Sequence, residues 1–157
     1  MTDKQAFLLQ RVQPAMTGLI DGSLSTLAPI FAIALHTHKP FDAFLAGIAT
    51  AIGAGISMAF SEGLSDTGEL TGRGNPFVRG SITGVGTFIG GILHTLPFLL
   101  PTYHAALISA IVVVALELVV LAWLRWRFFE TSFARSFASV TLGGALIAGV
   151  SAALGTA

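Results

Sequence analysis

Five stretches dominated by apolar residues follow one another along the chain, at roughly 14–35, 41–64, 80–100, 104–124 and 136–156. Each is close to the 20 or so residues that an α-helix needs to cross a bilayer. Turn-forming residues gather between them. His36-Thr37-His38-Lys39-Pro40 separates the first two stretches, Thr67-Gly68 through Gly74-Asn75-Pro76 the second and third, and Leu100-Pro101 the third and fourth, where proline cannot continue a helix. The apolar positions run on rather than alternate, which predicts helices and not the strands of a membrane barrel. The expected fold class is an all-α membrane protein with five transmembrane helices in a single domain over 1–157. The first stretch does not read as a cleavable signal, because Asp21 and Pro29 interrupt its apolar core and no small-residue site closes it.

Composition agrees with this pattern. The 157 residues are 54% hydrophobic and 10% charged, with a mean hydropathy of +0.82, whereas a soluble domain carries about a quarter charged residues. Net charge is zero and no basic cluster interleaves with aromatics, so nothing in the sequence attracts nucleic acid. The absence of cysteine excludes disulfides, thiolate metal sites and cysteine nucleophiles. With the N-terminus in the cytoplasm, Lys4, Arg11, Arg73, Arg79, Arg125, Arg127 and Arg135 fall on the cytoplasmic side and only Lys39 falls outside. That asymmetry predicts a cytoplasmic N-terminus and, after five spans, a C-terminus outside. Trp123, Trp126, Phe128 and Phe129 then sit at the cytoplasmic interface, and Tyr103 at the opposite one.

Glycine pairs in GxxxG spacing, Gly18/Gly22 on the first span and Gly80/Gly84 and Gly86/Gly90 on the third, suit close helix approach either within one subunit or across a dimer face. A five-helix unit is small for enclosing a polar path alone, which favours a homodimer.

Ionisable groups within spans cost at least ~2.5 kcal/mol each and mark candidate functional positions. Counted from the cytoplasmic ends at about 1.5 Å per residue, Asp21 lies about 10 Å deep, Met58 about 9 Å and Glu117 about 10 Å. Gly18, Asp21, Gly22 and Ser25 share helical spacing and predict one small, polar face. Pro29 leaves the Ser25 carbonyl without its usual helix partner, as an oxygen for an ion or as part of a packed kink. Thr50, Ala54, Ser57, Met58, Ser61 and Glu62 form a stripe that combines hydroxyls, a thioether and a carboxylate. Such a mix of soft and hard ligands suits Fe(II) or Mn(II) better than magnesium, although Met also serves as core filler and Thr or Ser as a donor to its own i−4 carbonyl. Glu117, within a run of Val, Ala and Leu, must be protonated, paired or hydrated; it is a candidate proton carrier or a neutral group bonded across helices. His94, just before Leu96-Pro97, reads as hydrogen-bonded structure or as a metal ligand, and His36 and His38 alone define no metal site.

The runs GLIDGSLSTLAP from Gly18 to Pro29 and AGISMAFSEGLS from Ala54 to Ser65 together resemble the vacuolar iron transporter family. The specific part is an Asp-Gly in span one paired with Gly-x-Ser-Met-x-x-x-Glu in span two. The resemblance implies a homodimeric five-helix transporter that moves Fe(II), and often Mn(II), out of the cytosol in exchange for protons, with Asp21 and Met58 at the pathway's aspartate and methionine positions. Thr50 stands where family members can carry a further carboxylate. Only about fifteen residues join spans two and three, in place of the long acidic insertion of plant-type members. Glu62, Asp66 and Glu69 are expected to form at most a reduced acidic mouth, or a solvated turn. No permanently bound cofactor is expected, only transported Fe2+ or Mn2+, in a bacterial inner membrane. The competing expectation is a membrane anchor or assembly subunit for a soluble, ferritin-like partner. No Ser-His-Asp arrangement, phosphate-binding loop or metal-hydrolase spacing is legible, so chemistry on a substrate is not expected.

Overall fold

The computed structural model describes residues 2–129 and 131–156, and among them every regular element is helical. The first helical segment contains α1 (Asp3–Phe7), a π-helical turn at Leu8–Val12, α2 (Gln13–Ser25) and α3 (Leu27–Thr37). Then follow α4 (Pro40–Gly63), α5 (Pro76–Leu93), α6 (Tyr103–Phe129) and α7 (Phe133–Gly155). Among the described residues, four helices are long and apolar enough to cross a membrane: the continuous segment Asp3–Thr37, Pro40–Gly63, Tyr103–Phe129 and Phe133–Gly155.

The helix boundaries follow local chemistry. Thr2 caps α1 with a capping box closed by Gln5, and Asn75 and Ser132 cap α5 and α7 through their side-chain oxygens. Pro29 has no N–H to give, and the segment breaks at Thr26, three residues before it. The expected start at residue 14 is too late, because α1 and the π turn carry the helix back to Asp3. The third stretch is shorter than the expected 80–100. Helix α5 ends at Leu93, and after His94 and Thr95 the chain makes a 3-10 turn at Leu96–Leu99, where Pro97 prevents α-helical continuation.

Helix α5 is the hub of the bundle. One of its faces packs on α2 and another on α4, and glycine makes both approaches close. A Cβ at Gly90 would lie 2.5 Å from the Leu19 carbonyl oxygen, and one at Gly84 would lie 2.6 Å from that of Gly55. Methyls at Gly18 and Gly22 would run into the backbone of Thr83 and Thr87, and one at Gly80 would lie 2.5 Å from Ala59 O. All three GxxxG pairs are therefore consumed in packing within the subunit, and none is left as a dimer face. Arg79, Thr83 and Thr87 point into the same contacts and are fully buried.

The remaining helices enclose two small cores. Ile30 and Ala34 of α3 meet Ala43 of α4, Phe98 of the 3-10 turn, and Ala106 and Ala110 of α6. Val12 and Met16 meet Leu121 of α6 and Val140 of α7. Small and polar side chains thus fill much of the interior, while Ile52, Ile56 and Phe60 of α4, Ile111, Leu116 and Val120 of α6, and Leu142, Leu146 and Val150 of α7 point outward. Such an inside-out distribution is stable in lipid, where outward apolar groups cost nothing and close packing holds the helices together.

Candidate functional site

Two polar clusters and one isolated carboxylate occupy this bundle. The first cluster lies where α4 ends, in the loop before α5. Arg73 Nη2 donates to Glu62 Oε1 at 2.6 Å, and Arg73 Nη1 reaches Asp66 Oδ2 at 3.3 Å. Arg79, 1% exposed, grips the same loop: its Nη2 lies 3.1 Å from Asp66 Oδ1 and 3.3 Å from the Asp66 carbonyl oxygen, and its Nε lies 3.6 Å from Glu62 Oε1. The Arg79 guanidinium hydrogen-bonded to Asp66 holds that carboxyl below its ordinary value of 3.8. Left-handed φ values at Gly68, Gly72 and Gly74 let so short a segment turn back, and Gln10 Nε2 ties it to the first helix through Gly72 O at 3.1 Å.

This arrangement corrects the expectation of an acidic mouth. Glu62 and Asp66 are neutralised by two arginines instead of standing free to concentrate cations, and Glu69 is exposed and apart from the network. Sequence reading counted Arg73 and Arg79 as markers of the cytoplasmic side and as neighbours of these carboxylates in a solvated turn. Nothing in the chain's order shows that two guanidiniums sit seven to seventeen residues from their carboxylates yet fold back onto them.

The second cluster lies between helices. Thr26, His94 and Glu117 come from the α2–α3 break, the end of α5 and the middle of α6. Thr26 Oγ1 donates to Gly22 O at 2.8 Å and lies 2.7 Å from His94 Nε2, and His94 Nδ1 lies 2.8 Å from Glu117 Oε2. Thr26 and His94 are fully buried and Glu117 is 9% exposed. The order hydroxyl, imidazole, carboxylate is that of a nucleophilic triad, which the sequence did not reveal. Its hydroxyl hydrogen is already given to a backbone carbonyl, however, and Thr26 and His94 are fully buried while Glu117 alone keeps a small exposure, so the geometry suits holding a proton rather than attack on a substrate. Glu117 is accordingly paired across helices, and His94 is its partner. The one early signal was an intramembrane histidine beside a helix break.

Asp21 stands apart. It is partly buried on α2 and pairs with no basic side chain among the described residues. The single polar face expected from Gly18, Asp21, Gly22 and Ser25 is divided: the two glycines are buried against α5, and Ser25 is exposed. The division arises because α2 and α5 cross, so the contact face drifts from Gly18 towards Ser23 and Thr26 along the helix. On α4, Met58 is partly buried, Ser57 and Ser61 are exposed, and Thr50 donates to the Ala46 carbonyl at 2.7 Å, which occupies its hydroxyl hydrogen. Among the described residues no three His, Asp or Glu side chains converge as a metal-holding group.

Compared with protein-family models, curated proteins and solved structures, the chain matches none.

Proposed function

We propose that this protein is a divalent transition-metal transporter that exports Fe2+, Mn2+ or both from the cytosol by proton antiport. In this reading it lies in a bacterial inner membrane with five spans, α5 being the third, a cytoplasmic N-terminus and a C-terminus outside. Two subunits act as a homodimer.

One observation carries the reading. Apart from Asp3 and Asp42, which sit in the first turns of α1 and α4, three carboxylates lie along the apolar helices, and two of them have partners: Glu62 has Arg73 and Glu117 has His94. Asp21 has none among the described residues. A carboxylate within a bilayer needs a proton or a cation, and a site that exchanges one for the other is what metal-for-proton antiport requires. Met58 supplies a soft sulfur, Ser25 and Ser57 supply exposed hydroxyls, and Thr50 lends a hydroxyl oxygen with its lone pairs still available. Because Ser57 and Ser61 point outward from α4, a path that uses them needs a second subunit against that face. Glu62 contributes only when Arg73 releases it.

The test is Fe(II) and Mn(II) flux into sealed vesicles that contain the purified chain, with an imposed pH gradient and with Asp21→Asn beside the native protein. Flux that vanishes in Asp21→Asn, with folding intact, supports the reading. A well-folded native chain without flux overturns it, and pull-down of a ferritin-like protein would then test the anchor alternative.

A further inference from the structure

The Thr26–His94–Glu117 chain takes no part in holding the cation, yet three helices combine to bury it. Thr26 has one hydroxyl hydrogen, given to Gly22 O at 2.8 Å, so at 2.7 Å its oxygen accepts from His94 Nε2. Nε2 therefore carries a hydrogen, and the free ring position is Nδ1, 2.8 Å from Glu117 Oε2. One further proton belongs between those two atoms, because without it two lone pairs would face each other across the contact. Glu117 Oε1 is buried and has no hydrogen-bond partner among the described residues. A carboxylate there would leave part of its charge unsolvated, so the favoured form is a neutral carboxylic acid that donates to a neutral imidazole.

The other ionisable groups on the surrounding helices leave the pair undisturbed. Asp21 precedes Thr26 by five residues, about 7.5 Å of axial rise. Arg79 lies at the far end of α5, bound to Asp66. On α6, Arg125 and Arg127 are about two and nearly three turns from Glu117, Tyr103 and His104 are more than three turns away in the other direction, and His36 lies at the far end of α3, ten residues beyond Thr26. On α7 the ionisable residue is Arg135, in the first turn, and on α4 they are Asp42, five residues before the Gly47 that packs on Thr95, and Glu62, bound to Arg73. None of them hydrogen-bonds or ion-pairs with His94 or Glu117.

The geometry points to a proton-binding site formed by His94 and Glu117, positioned by Thr26, whose one shared proton is exchanged against the transported cation. The exchange rests on the transport reading above; the site itself does not. On release, the Glu117 O–H bond breaks, its electron pair stays on the carboxylate and the proton passes to water, while the ring hydrogen moves from Nε2 to Nδ1, which donates to Glu117 Oε2, and the Thr26 hydroxyl turns from Gly22 O to donate to Nε2. His94 remains neutral, and the site gains one negative charge, offset by the positive charge of a cation arriving at the neighbouring turn of α2.

Two measurements on the full chain in lipid test this. Infrared spectra in H2O and D2O, taken on an Asp21→Asn background, read protonated carboxyl directly, and Mn(II) flux at several imposed pH gradients reads coupling in the otherwise native chain. The expected result is a deuteration-sensitive carboxyl band that is lost in Glu117→Gln, together with Glu117→Gln flux that no longer responds to the gradient while native flux changes several fold. Absence of a Glu117 band at neutral pH overturns the site. A band with the gradient response unchanged in Glu117→Gln overturns the exchange role. A band in a native chain that moves no metal also overturns the exchange, and locates the failure in the transport reading while the site stands. If Glu117→Gln does not fold, Thr26→Val replaces it: band position and gradient response both shift, and Thr26→Ser restores both. A hydrogen bond with only a structural role would alter stability in Thr26→Val and leave the gradient response where it was.

Discussion

Gly22→Ala tests the central packing of this fold, because it places one methyl group where two helix backbones meet. The new Cβ would lie 2.7 Å from the Thr87 carbonyl carbon and 2.9 Å from its Cα, and would overlap the carbonyl oxygen. These are backbone atoms, so no side chain can rotate away, and α2 and α5 must part by about 1 Å to restore ordinary contact. Overpacking of this kind costs about 1–3 kcal/mol, and the rigid neighbour puts it at the upper end. Thr26 is one turn beyond Gly22, and His94 ends the helix that would move. Separation by about 1 Å stretches their 2.7 Å contact past hydrogen-bonding range, which adds about 1–3 kcal/mol for buried groups left unpaired. Alanine's helix preference returns about 1 kcal/mol. The expected net loss is about 3–5 kcal/mol, read by reversible unfolding of the purified chain in mixed micelles. Gly53→Ala is the control, since a Cβ there meets nothing within 4 Å, and it should be neutral or slightly stabilising. Equal stability of the two variants would refute the claim that glycine at position 22 is required by the α2–α5 contact.

Three further outcomes follow from the arginine–carboxylate network of the α4–α5 loop and from the proposed role of Asp21. Arg79→Gln should lower the unfolding temperature several times more than Arg73→Gln, because Arg79 is 1% exposed and Arg73 22%, and removal of a buried partner strands its carboxylates. Asp66 has a folded-state pKa below 3.8, chiefly through its hydrogen bond from Arg79. Its contribution is thus complete above the unfolded value and is lost as pH falls through the lower folded one; unfolding temperature measured against pH should drop at the acid end, and Asp66→Asn should flatten that limb. Asp21→Asn should abolish metal flux and leave the unfolding midpoint nearly unchanged, since Asp21 makes no ion pair to lose.

The chain's apolar pattern was enough to establish an all-helical membrane protein and to place α4, α6 and α7 within a few residues, because the bilayer imposes length and hydrophobicity on each span separately. It also singled out Asp21 and Glu117, since an ionisable residue in an apolar run is visible without knowing its neighbours. What only tertiary structure decided is who those neighbours are. The pairing of Glu117 with His94 spans 23 residues, that of His94 with Thr26 spans 68, and Arg73 and Arg79 return to Glu62 and Asp66 across a glycine-rich turn. Such contacts depend on which helix faces meet and at what height. Glycine spacing shows that a close approach occurs, and the approach is to α5 from both sides because that helix carries glycine on the face it turns to α2 and on the face it turns to α4. A linear pattern reports each helix's quarrel with its solvent, whereas its choice of partner is settled by the fit of surfaces that are distant in sequence.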